Sequence, residues 1–202
     1  MKDVQPNVFV YTENGKASVR MDKIILLFLS EIDENLVGAL KRHLEQTFNR
    51  QIDARYKISS LEYAYDANRK QYKSPKILSR LQRFKRGPGD KILGVVDVDL
   101  YSPEYDFVYG EAKISSGVAT LSIYRLRPKS RSRDSGSKIF RQRVIREAMH
   151  EIGHLYGLGH CKKSKCVMRS CTCSSEVDKA GYRFCTNCSK RLGTKSTQFV
   201  LT

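Results

Sequence analysis

The chain has 202 residues, with 37 Lys and Arg against 21 Asp and Glu, a formal net charge of +16. That length suits one domain, or one domain split by a cleft into unequal parts, and excludes large tandem domains. With 40% hydrophobic residues the chain can bury a core. Its longest apolar run, Ile24 to Leu29, is strand-length and far short of the roughly 18 residues of a membrane span. The first residues lack the apolar core of a secretory signal, so a cytoplasmic protein without a membrane partner is expected.

In chain order, residues 1–22 read as a hairpin extension in which Val8–Tyr11 and Ala17–Met21 flank the turn signal Asn14-Gly15. Lys23 to Ser30 has the composition of a buried strand. Asp33-Glu34-Asn35 then starts a helix to about Phe48, with Leu36, Leu40, Leu44 and Phe48 at turn spacing. His43, on that helix, has charged neighbours and no local partner, and reads as a surface or packing residue. Ile52–Ile58 is a second strand, and Ser74-Pro75 opens a second helix to about Arg83, before the Gly87-Pro88-Gly89 break. Residues 90–100 carry a central strand with the apolar run Ile92–Val98, followed by strands at Phe107–Ala112 and Val118–Tyr124.

Strands alternating with helices predict an α/β fold: a mixed, mostly parallel twisted sheet with backing helices and Phe107–Ala112 at its edge. From Arg125 to Arg146 nine basic residues stand against one acidic, Asp134, and the first half, through Ser137, reads as a polar loop. Such a charge attracts nucleic acid or acidic peptides without specifying which.

The informative count is histidine: of four, His150, His154 and His160 fall within eleven residues. Phe140, Val144, Ala148, Ile152 and Leu155 have helical spacing, and at about 100° per residue His150 and His154 lie roughly 40° apart, one turn from each other on one face. Two imidazoles at that separation can share a cation, and the pair sits well around from the apolar stripe, facing a cleft. Glu151 completes His-Glu-x-x-His, in which zinc holds and acidifies a water while the carboxylate takes its proton. His160, six positions after His154, is rotated by about 240° on a continued helix. The helix must therefore stop, and Gly157 is placed to end it in a left-handed conformation that returns His160 to the metal. Gly153 in mid-helix costs about 1 kcal/mol relative to alanine, a choice that suits close approach of another backbone.

All six cysteines fall between Cys161 and Cys188. Cys161 and Cys166, with Cys185 and Cys188, form a Cys-x4-Cys and Cys-x2-Cys set suited to a tetrahedral thiolate zinc, against which stands a disulfide or free-thiol cluster. A reducing cytoplasm favours zinc.

The spacing His150-Glu151-x-x-His154-x-x-Gly157-x-x-His160, followed by a methionine, resembles the metzincin signature of zinc peptidases. Joined to the four cysteines it resembles the archaemetzincins in particular, over about residues 23–190. The resemblance also takes in Leu61–Asp66, Leu93–Leu100 and Phe107–Ala112. It implies a catalytic zinc on His150, His154 and His160, Glu151 as general base, Met168 as the methionine turn beneath the metal, and a structural zinc on Cys161, Cys166, Cys185 and Cys188. Cys171 and Cys173 stand where the family usually has polar residues, and are candidate competing ligands. Tyr182 and Arg169 are candidates by position for stabilising an oxyanion.

The expected organisation is an extension at 1–22, an α/β part with the active-site helix at 23–157, and a zinc-stapled C-terminal part at 158–202. The expected activity is peptide hydrolysis by a monomer, its substrate a peptide or protein favoured to be acidic by the net charge. The alternative is a zinc-stapled basic protein that binds nucleic acid, which leaves Glu151 and Gly157 without a purpose.

Overall fold

The structure is a computed structural model; it describes residues 8–13, 16–21, 23–128 and 133–193, with side chains for 23–128 and 138–193. Strands β1 (Val8–Glu13) and β2 (Lys16–Met21) pair antiparallel as a separate two-stranded sheet, Glu13 opposite Lys16. The Asn14-Gly15 turn between them lies outside the described residues. There follow β3 (Ile24–Phe28), α1 (Glu34–Phe48) and β4 (Ile52–Tyr56). The next group is β5 (Tyr65–Asp66), β6 (Gln71–Lys73), α2 (Ser74–Leu81) and β7 (Lys91–Val96). Then come β8 (Leu100–Ser102), β9 (Tyr105–Val108), β10 (Gly110–Lys113) and β11 (Val118–Ser122). The long helix α3 (Arg133–Leu155) and the short α4 (Ser174–Lys179) and α5 (Thr186–Leu192) complete the chain.

The main sheet has the order β10-β11-β7-β3-β4, parallel except for β10, which runs antiparallel at one edge. Alternation along β3 sorts its side chains: Ile24, Leu26 and Phe28 join the core under α1 and α3, while Ile25 and Leu27 join the core under α2. The sheet is therefore covered on both faces, which explains why β3 is buried throughout. Helix α1 starts where Asp33 accepts a hydrogen bond from the Leu36 N–H (3.0 Å) and ends at Asn49 in the left-handed region, φ 48°. No helix of the described residues is long and apolar enough to cross a membrane.

The structure departs from the sequence pattern in three places. The strand expected over 90–100 divides: β7 ends at Val96, and β8 starts at Leu100 in a second sheet of order β5-β6-β8-β9. Asp97 and Asp99 cause the break, because their carboxylates turn out to meet Arg127 and Arg125. Phe107–Ala112 divides likewise at Tyr109, with β9 in the second sheet and β10 on the edge of the main one. Finally, the backbone from Arg133 to Ser137 is helical where a polar loop is expected.

Gly94 lies in central β7, where glycine is ordinarily a poor choice. A Cβ there would come within 2.7 Å of Leu81 Cδ1, so the glycine lets α2 seat against the sheet. Gly94→Ala is expected to destabilise the fold by about 1–3 kcal/mol through overpacking, read as a lower denaturant midpoint at unchanged slope.

Candidate metal centre

The centre is built on the last turns of α3. His150 directs Nδ1 to the Val167 carbonyl (2.9 Å), and His154 directs Nδ1 to the Leu158 carbonyl (2.7 Å). A carbonyl only accepts, so both Nδ1 atoms carry the hydrogen and both Nε2 atoms face inward, 3.0 Å apart. Burial lowers both histidines to about 4, which leaves two lone pairs facing each other at neutral pH.

Gly157, at φ +80°, reverses the chain. Its N–H donates to the His154 carbonyl (2.8 Å), and the Leu158 N–H donates to the Gly153 carbonyl (3.0 Å), the paired bonds of a Schellman cap. The same reversal presents the Leu158 carbonyl to His154 and brings His160 to the pair, with ring centroids 5.3 Å from His150 and 5.0 Å from His154. The ligand atoms of the three histidines lie within 4.8 Å of one another. With zinc–nitrogen bonds of about 2.0–2.1 Å, tetrahedral neighbours sit roughly 3.3 Å apart, so these imidazoles fit a zinc ion with little adjustment. His43 takes no part; it is half-buried on α1, its pKa lowered by burial and by Arg183.

Two glycines fit the centre to its surroundings. At Gly153 a Cβ would meet Met168 Sδ at 2.5 Å, so the close neighbour is a thioether and not the backbone that the sequence suggests. At Gly110, on β10, a Cβ would meet the Glu151 carboxylate at 2.5 Å. The edge strand thus lies directly on Glu151, which is 5% exposed. Burial, then Glu147 and Glu111, raise Glu151 well above the usual carboxylate range.

These groups line a cavity of 480 Å³ whose walls are β9–β10 on one side and residues 170–172 on the other. His150, Glu151, His154 and His160 all face it, together with Tyr109, Glu111, Glu147 and Cys171. Tyr182 and Arg169 do not line it; the Arg169 carbonyl is instead bound by Arg146 (2.7 Å). The pattern gives no sign of Gly110 or Tyr109 and only a weak one of Glu147. The first two arrive with the edge strand, and Glu147 lies one turn before Glu151, the one sequence signal that points to it.

The cysteines form a second cluster. Cys161, Cys166, Cys185 and Cys188 place their sulfurs within 4.8 Å of one another, with Cys161–Cys185 at 3.8 Å and Cys166–Cys188 at 3.7 Å. A tetrahedron with metal–sulfur bonds of about 2.3 Å has edges of about 3.8 Å, so this set also fits zinc. The Cys185 N–H points at Cys166 Sγ (3.4 Å). Cys171 and Cys173 are not in the cluster: Cys171 Sγ touches Arg146 Nη2 (3.1 Å), and exposed Cys173 meets Ser175 Oγ (3.0 Å).

Residues 25–194 match Peptidase family M54. Archaemetzincins from Pyrococcus furiosus and Methanocaldococcus jannaschii are each 32% identical to this chain, covering 85% and 86% of it and 92% and 94% of their own length. The crystal structure of an archaemetzincin from Archaeoglobus fulgidus superposes with a TM-score of 0.70 at 35% identity, over 84% of this chain and 99% of that one. A zinc-dependent peptidase from Methanocorpusculum labreanum gives 0.75 at 30% identity with the same coverage. The chain accordingly belongs to Peptidase family M54 and is a zinc metallopeptidase of the archaemetzincin kind.

Proposed function

We propose that the enzyme cleaves peptide bonds at a zinc held by His150, His154 and His160, with Glu151 as general base, and that Cys161, Cys166, Cys185 and Cys188 hold a second zinc. The observation that carries the reading is the inward convergence of the two Nε2 atoms, their Nδ1 hydrogens already committed to Val167 and Leu158. Zinc in such a set supplies Lewis acidity toward a carbonyl and brings the pKa of water to about 7.

The chain's own groups supply the rest. Glu151, buried, lines the cavity next to the three imidazoles, where a carboxylate can take a proton from water and return it to the leaving amine. The outer edge of β10 offers unpaired backbone groups beside Glu151, so a substrate that pairs along it is carried to the base by contacts indifferent to side chain. Met168 packs beneath the centre against Gly153. Gly157 marks the division between the 23–157 part and the 158–202 part that the thiolate zinc braces, with 1–22 as an extension. Thiolate ligation requires reduced cysteine, which suits a cytoplasmic protein.

Four of the nine basic residues in the stretch that favours nucleic acid are held in ion pairs within the protein. Arg125 pairs with Asp99, Arg127 with Asp97, Arg143 with Asp178 and Arg146 with Glu147.

Glu151→Ala should retain zinc and lose about 10²–10⁴-fold in kcat, measured with a quenched-fluorescent peptide library and by metal analysis; unaltered turnover would remove the assignment. Cys185→Ser should lower stability and also zinc occupancy at the histidines, because Cys161 adjoins His160 and Cys166 adjoins the Val167 carbonyl that orients His150. Full occupancy by cobalt titration of the histidine site would refute that coupling. With His150 and His154 lowered from 6.5 to about 4, the unfolded chain binds more protons between these values. The histidines therefore cost the metal-free protein stability as pH falls from 6.5 toward 4, a loss opposed by the raised Glu147 and Glu151, so denaturant melts in chelator should show a steeper loss in the wild type than in a His150→Gln, His154→Gln variant.

A further inference from the structure

The cleft does not share the charge of the chain. Against a net charge of +16, the cavity is lined by Asp106, Glu111, Glu147 and Glu151 and, among the described residues, by no lysine or arginine. Asp106 is a rim residue whose side chain is 99% exposed and pairs with Arg69, and Glu151 belongs to the chemistry. Glu111 and Glu147 remain to be explained.

Glu111 Oε2 is buried and has no hydrogen-bond partner. Glu147, 5% exposed, pairs through Oε1 with Arg146, a fully buried guanidinium that does not line the cavity. A carboxylate has about four acceptor sites, so this pairing leaves Glu147 capacity on the cavity side. Tyr109 lines the same cavity and is 8% exposed, and its hydroxyl has no hydrogen bond among the described residues. Burial, then Glu147, push its pKa up to about 12, so the phenol keeps its proton while its oxygen remains free to accept. Buried acceptors without partners are costly, and an apolar substrate group would leave Glu111 Oε2 unpaired and Glu147 with Arg146 alone.

We infer that this cavity, beside the histidine centre, is a subsite for a cationic group of the substrate, received by Glu111, Glu147 and the Tyr109 hydroxyl. A lysine ammonium or arginine guanidinium brings three or five donors and no acceptor, the complement of two carboxylates and a phenol oxygen. The 480 Å³ belongs to the whole cleft, so a side chain that reaches Glu111 and Glu147 shares it with the peptide held over the histidines. An acidic peptide, favoured by the net charge alone, would meet like charge here. Surface charges beyond about 8 Å are screened in physiological salt, so the lining decides what the cleft admits. The source of the cation is a lysine or arginine side chain or the α-ammonium of a peptide, and the two are separable by blocking the terminus.

The inference rests on the peptidase reading and is tested apart from it. With zinc-loaded wild-type protein, quenched peptides carry arginine, its neutral isostere citrulline, or glutamate at each position around the cleavage site, with free and N-acetylated termini. At one position arginine should exceed citrulline by about tenfold or more in kcat/KM, the effect of a charge-assisted hydrogen bond in a desolvated site. A preference for free over acetylated termini that replaces this one would assign the subsite to the α-ammonium, still a cation. Glu111→Gln and Glu147→Gln should each bring the ratio toward one; because it is a ratio, general damage cancels. Should Glu147→Gln fail to fold for want of a partner to Arg146, Glu111→Gln decides. Equal rates for arginine and citrulline at every position, with no terminus effect, or a preference for glutamate, overturn the inference. If no peptide is cleaved, the peptidase reading fails, and dissociation constants of the same peptides on the zinc-loaded protein give the ratio instead.

Discussion

Two peptide carbonyls govern the centre. Those of Leu158 and Val167 fix the tautomers of His154 and His150, and only with that tautomer do both Nε2 lone pairs point at one spot. Neither carbonyl belongs to α3, so the helix contributes the imidazoles and the chain after it contributes their orientation. The Schellman cap at Gly157 produces the first of these carbonyls as a by-product of stopping the helix. A cap with different geometry would leave His154 on the same face but free to turn.

The second carbonyl ties the histidine centre to the cysteines. Val167 sits between Cys166 and Met168; its N–H donates to the Arg183 carbonyl (2.8 Å), and Cys166 pairs with Arg183 in a parallel bridge. The Cys161 N–H donates to the Met168 carbonyl (2.8 Å), so the ribbon is held from the cysteine side at each end. All three residues are fully buried in the main core, so packing and cross-linking together fix the shape of the ribbon. On its other face Met168 fills the hollow at Gly153. One three-residue ribbon thus faces thiolates on one side and the metal-binding helix on the other.

The parts legible in the sequence are those set by local geometry. Helical periodicity brings His150 and His154 together, a glycine permits the reversal after them, and paired cysteine spacings announce a tetrahedral set. The missing parts depend on tertiary placement. The apolar run through Val98 conceals that Asp97 and Asp99 find arginines 30 and 26 residues away, which ends the strand early. The second sheet has strands of two to four residues, too short for alternation to register. Gly110 in the sequence is one glycine among thirteen, and only the register of β10 on β11 sets it over Glu151. The net charge was legible and still misleading as a guide to the cleft, because a sum over the chain says nothing of where the carboxylates gather.

The three imidazoles are divided across the chain reversal, two on the helix and one beyond it. An ion bound by all of them would act as a latch: any hinge motion at Gly157 that parted the walls would pull a ligand away. The ion would thus keep the helix and the chain beyond it in register, and its removal would free the two to move apart about Gly157.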